Sequence, residues 1–130
     1  MKDWVPRNVR FKTATVLPDG NVCVELERPG AGTYVGMGES TEPGLEVFRA
    51  GVDAAAQAVA HAADSPDASV EVKDLEVVRA VGETLVVVAV SARLKSESRL
   101  LIGVCVVRDD PAHAAARAVL NATNRAFNLA

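Results

Sequence analysis

Apolar positions along the chain follow two rhythms that take turns. Val22, Val24 and Leu26 alternate with Cys23, Glu25 and Glu27, the two-residue period of a strand with one buried and one wet face. Val9 to Leu17 and Thr33 to Glu39 read as strands on either side of it. Leu17-Pro18-Asp19-Gly20-Asn21 and Pro29-Gly30-Ala31-Gly32 supply the turns, with proline setting φ and glycine accepting a positive one. The rhythm then changes. Leu45, Phe48, Val52, Ala55, Ala56 and Val59 recur at three- and four-residue steps and predict an amphipathic helix. Thr41 is its expected N-cap, with Glu42 and Pro43 in the first turn. The series Ala62 to Asp67 ends it.

The same order then restarts. Val70 to Val81 reads as a strand bulged near Asp74, with a turn at Gly82-Glu83. Thr84 to Leu94 is a Val-rich strand, Lys95 to Ser98 a polar hairpin loop, and Arg99 to Arg108 a sixth strand. Asp110 caps a last helix whose first residue is Pro111, and Ala116, Val119, Thr123, Ala126 and Phe127 mark its apolar face. Links this short join antiparallel neighbours. The predicted fold class is α+β: two pseudo-repeated βββα units, each an antiparallel sheet with one helix packed on a face. Unit one covers 8–64, a linker 65–69, and unit two 70–130 of a single domain.

The repeat can be aligned. Tyr34-Val35-Gly36-Met37 sits over Leu101-Ile102-Gly103-Val104 at an offset of 67, and Pro43 over Pro111 at 68, which predicts one extra residue in the second unit. Gly36 and Gly103 either bulge their strands or let another backbone come close.

Composition narrows the function. The 130 residues are 49% hydrophobic and 24% charged, enough for one buried core. A formal net charge of -3 lacks the basic surplus of a phosphate-tracking protein, so no nucleic acid is expected. No run approaches the ~18 apolar residues of a spanning helix, and Met1 to Pro6 lacks the apolar stretch of a secretory leader, so the expectation is a cytoplasmic protein with no membrane partner. Cys23 and Cys105 form neither a disulfide framework nor a metal spacing, and no cofactor is implied.

Candidate chemistry is sparse. His61 and His113 lie in Ala-rich helical segments and read as structural, and Cys105 in its Val-rich strand as a small hydrophobe. Asp109-Asp110 reads first as a cap with a favourable charge. Gly36-Met37-Gly38-Glu39-Ser40-Thr41 has the look of a glycine-rich anion loop before a helix, and Arg108 before the second helix could hold a carboxylate. Gly36, Gly38, Ser40, Thr41, Arg108, Asp109 and Asp110 are therefore the candidate ligand-binding residues. No catalytic set emerges.

The run Gly103-Val104-Cys105-Val106-Val107-Arg108-Asp109-Asp110-Pro111, continued by an Ala-rich helix to Asn121-Ala122-Thr123-Asn124-Arg125, resembles the last strand and helix of the C-terminal regulatory domain of 2-isopropylmalate synthases. Asp110, Ala118, Asn121, Ala122, Asn124 and Arg125 carry that likeness. The sequence departs from it where Val106 replaces a strand glycine and Arg108 a small hydroxyl residue. The family domain also has two strand-strand-strand-helix units. The resemblance implies a dimerising module without a catalytic barrel, with an effector held near the loops that precede the helices. The expected function is a non-catalytic homodimeric regulatory or assembly domain binding an amino-acid-like or carboxylate effector. Docking on a larger enzyme partner is the alternative. A small enzyme using His113 or Asp110 as base is a third reading.

Overall fold

The computed structural model describes residues 9–28, 30, 32–39, 45–63, 67–94 and 97–128. Three strands, β1 (Arg10–Val16), β2 (Val22–Arg28) and β3 (Gly32–Gly38), are followed by α1 (Glu46–Ala62). Three more, β4 (Ser69–Ala80), β5 (Glu83–Leu94) and β6 (Glu97–Val106), are followed by α2 (Pro111–Asn128). Each trio forms an antiparallel meander, β1-β2-β3 and β4-β5-β6. The α+β architecture of two βββα units is thus the observed one.

The helices lie side by side between the sheets. α1 packs on β2 and β3 of its own unit and on β4 of the other; α2 packs on β5 and β6 and reaches across to β1. This explains the alanine. A helix covered by a sheet on either side and by a second helix along its flank is buried on most of its circumference, and small side chains let all three neighbours approach. The single apolar face expected for α1 is too narrow: Ala50, Gly51, Val52, Ala54, Ala55, Ala56, Ala58, Val59 and Ala62 are all buried. Only a stripe through Glu46, Gln57 and His61 is exposed. Inward-pointing Val22, Val24, Leu26, Val86, Val88 and Val90 close the core from the two sheets. Each such side chain contributes about 1.5–3 kcal/mol by leaving water.

Gly36 and Gly103 settle which of their two expected roles applies. A Cβ on Gly36 would collide with the Ala54 carbonyl oxygen and crowd the Ala58 amide; one on Gly103 would meet the Ala118 carbonyl and the Ala122 amide. The strand backbone lies directly on the helix backbone in both units. These contacts also correct the alignment. Gly36 and Gly103 keep the offset of 67, but Ala54 corresponds to Ala118 and Ala58 to Ala122, an offset of 64. The first unit therefore has three more residues between strand and helix, and Pro43 is not the counterpart of Pro111. Helix α1 begins at Glu46, after a Leu45 that makes no capping side-chain bond. The expected cap Thr41, with Glu42 and Pro43, lies outside the described residues. The sequence pairing of two prolines was chance, because proline marks helix starts generally.

The bulge expected near Asp74 is present between Val72 and Asp74, and the first sheet has its own between Phe11 and Thr13. The extra residues are Lys12 and Lys73, at matching places in the two units. One turn differs from expectation: the two-residue link between β4 and β5 is Val81-Gly82, with φ of 49° and 78° at its two positions. A β-branched residue in the left-handed region is strained, yet a hairpin of this type demands it there. Val81 is 92% exposed.

Side chains from the helices cover the sheet edges. On β3, the Met37 amide donates to Gln57 Oε1 and the Val35 carbonyl accepts from His61 Nδ1, each at 2.8 Å. On β6, Asn121 Nδ2 donates to the Val104 carbonyl at 2.8 Å, and Asn124 Nδ2 ties α2 to the Val9 carbonyl at the start of β1. Two asparagines of the motif that drew the family resemblance thus staple α2 to one edge of each sheet. Among the described residues, no helix is long and apolar enough to cross a membrane.

Candidate functional site

Where β6 ends and α2 begins, the backbone must turn from an outer layer into the middle one. The turn leaves a cavity of about 340 Å³ lined by Cys105, Val106, Arg108, Asp109, Asp110, His113, Ala114 and Arg117. Asp110 organises its floor. Its Oδ1 accepts from the Ala112 amide at 3.0 Å and the His113 amide at 3.2 Å, the N-cap read from the sequence. The first-turn donors that would draw an anion to the helix start are therefore already committed to the chain's own carboxylate. An incoming anion has to be met by side chains instead.

Two of those side chains, Arg108 and Arg117, carry guanidiniums. His113 and Arg117 stand one helical turn apart, and Arg117 Nε donates to His113 Nε2 at 2.8 Å. His113 Nε2 accepts that bond through its ring lone pair. Phe11, delivered from β1 of the other unit, stacks on the His113 ring at 4.4 Å between centroids and 14° between planes. The Arg117 guanidinium lies 5.3 Å from the centre of the same phenyl ring. Three residues from two units thus fix one another's orientation. Arg108 is more loosely held, 3.5 Å from Glu83 on the exposed surface. Cys105 points toward the core side of β6, and burial pushes its thiol pKa up; Arg117 and Arg108 pull the other way without overcoming it. The thiol stays protonated at neutral pH and is a poor nucleophile.

The seven residues singled out from the sequence separate here. Arg108, Asp109 and Asp110 share the cavity. Gly36 and Gly38 are buried against the α1 backbone, where a Cβ on Gly38 would strike the Ala50 carbonyl. Their placement is explained by helix packing. Ser40 and Thr41 lie outside the described residues. Arg117 and Phe11 lie outside that set, and His113, expected to be structural, stands between them. The i, i+4 spacing of His113 and Arg117 could have suggested a pair on one helix face. Nothing local could have brought Phe11 to them.

The counterpart place in the other half is built differently. Arg49 and Asp53, at the helix positions of His113 and Arg117, form an ion pair at 3.6 Å. Val72 stands on β4 where Phe11 stands on β1. The smaller side chain leaves an open groove of about 500 Å³ between α1 and Ser69 to Val72. Among the described residues, no three His, Cys, Asp or Glu side chains could hold a metal ion together. No family model matches the chain, and no curated protein does.

Proposed function

We propose that the chain is a non-catalytic, homodimeric regulatory or assembly domain that takes a small amino-acid-like or carboxylate effector in the cavity between β6 and α2. The observation that carries the reading is the charge set of that cavity: Arg108 and Arg117 face the same space as Asp109 and Asp110. Two guanidiniums suit a carboxylate by paired N–H donors. Asp109 offers an acceptor for an ammonium, while Asp110 is occupied as the cap. Cys105 and Ala114 leave room for a short apolar side chain. The doubled βββα architecture supports the reading through its likeness to the regulatory domains named above, as does the effector position that likeness implies. His113 and Asp110, the bases an enzyme reading would use, each have a structural bond to keep.

A thermal-shift screen of amino acids and small mono- and dicarboxylates tests this. Binding to the folded state at a hundred times Kd adds about 2.7 kcal/mol of stability, a rise of several degrees in Tm. The rise should vanish in Arg117→Met, which keeps an aliphatic stem against Phe11. A screen without any shift removes the effector from the proposal.

A further inference from the structure

The two sheets turn unlike faces to solvent. On β5 and β6 of the second sheet, Leu85, Val87, Ala89 and Ser91 pair with Val106, Val104, Ile102 and Leu100, and all eight point away from the helices. Leu100 is 65% exposed, Ile102 50% and Val104 38%. The matching face of the first sheet keeps exposed apolar residues at Val35 and Met37, but has Glu25 where the second has Ala89, Glu27 where it has Ser91, and Thr33 where it has Leu100. There Lys12 pairs with Glu25 across the surface.

We infer that the outer face of β5 and β6 is where a second copy of this chain docks, sheet on sheet. This rests on the homodimeric reading above and names the surface it uses. The relief of the face fits itself. Leu100 and Ile102 on β6 form a ridge, and Ser91 and Ala89 beside them on β5 form a trough. A two-fold axis running along the strands between β5 and β6 lays each copy's ridge in the other's trough. It also keeps charge apart. The outward acids Glu71, Asp74 and Glu76 lie on β4, and Glu83 at the head of β5 is paired with Arg108. That axis places both β4 strands outside the overlap on opposite flanks, so the acidic columns never meet. Strands of this length and spacing give a footprint of about 450 Å² per copy. The pair then buries roughly 900 Å², close to the ~1,000 Å² at which specific interfaces begin. The dimer is accordingly a reversible one.

Sedimentation equilibrium across a wide concentration range tests the surface. The full chain should be dimeric at about 100 µM and dissociate on dilution. Ala89→Glu, which copies the residue at the matching place of the first sheet, and Ile102→Lys should each be monomeric there, with unchanged circular dichroism and Tm at low concentration. Val35→Lys, at the counterpart of Ile102, should dimerise as before. Dimers persisting in both Ala89→Glu and Ile102→Lys would overturn this surface and leave the homodimeric reading standing. A wild-type monomer at every concentration would overturn both.

Discussion

Inside, the two halves of this molecule are near copies; outside, they have diverged. Val22, Val24 and Leu26 of β2 match Val86, Val88 and Val90 of β5, and all six are fully buried. The strand glycines press on matching alanines, and the bulges fall at Lys12 and Lys73. Facing water, the first sheet interrupts Val35 and Met37 with threonines and glutamates, while the second shows an unbroken run of leucine, isoleucine and valine. The comparison teaches where constraint lies. A layer of helices between two sheets tolerates little change in volume, so both repeats keep the same small and branched residues. Outer faces are free to differ, and a difference concentrated on one face marks what that face does.

The largest expected effect comes from the shared interior. Gly36→Ala and Gly103→Ala each force a methyl into a helix carbonyl, and each should cost about 3 kcal/mol or more in urea unfolding. Equal losses sharpen the equivalence of the units. A much smaller loss in one would show that its helix can retreat, and would break the equivalence.

Next come the two places where a first strand meets the other unit's helix. Phe11→Ala removes a ring packed on His113 and Arg117 and should cost about 2–3 kcal/mol, and Val72→Ala about 1 kcal/mol. Both are read from denaturant midpoints. Reversed magnitudes would mean that the open groove, not the aromatic clasp, joins the halves more strongly.

The smallest effect is a gain. Val81→Asn relieves the positive φ of an exposed β-branched residue and should add about 1 kcal/mol to stability. A loss instead would show that Val81 has a partner in solution.

Much of the fold could be read from the chain, because alternation of valine with polar residues and the Ala-rich periodicity each have one structural meaning. Asp110 and Pro111 fixed the start of α2 correctly. The start of α1 was misplaced because the stretch from Ser40 offers proline, threonine and glutamate in an order that reads as a helix start. The burial of both helices on nearly every side was not legible, since alanine is as good a helix former exposed as buried. Half of the site could be found in the same way. Arg108, Asp109 and Asp110 are contiguous and stand at a predicted boundary, whereas Arg117 and Phe11 join them through packing that links β1 to α2. The apolar face of β5 and β6 was visible only as a Val-rich run, since register is needed to tell which residues share a surface.

One pair of labels reports on both outer faces together. Ile102 is the only isoleucine of the chain, and Met37 lies on the first sheet opposite Cys23. In protein labelled at isoleucine δ1 and methionine ε methyls, a dilution series should move the Ile102 signal and give it contacts to the partner copy's methyls. The Met37 signal, assigned through Met37→Leu, should stay in place. An Ile102 signal that is indifferent to concentration, or a Met37 signal that moves in its stead, would contradict the claim that the second sheet's face is the one built for association.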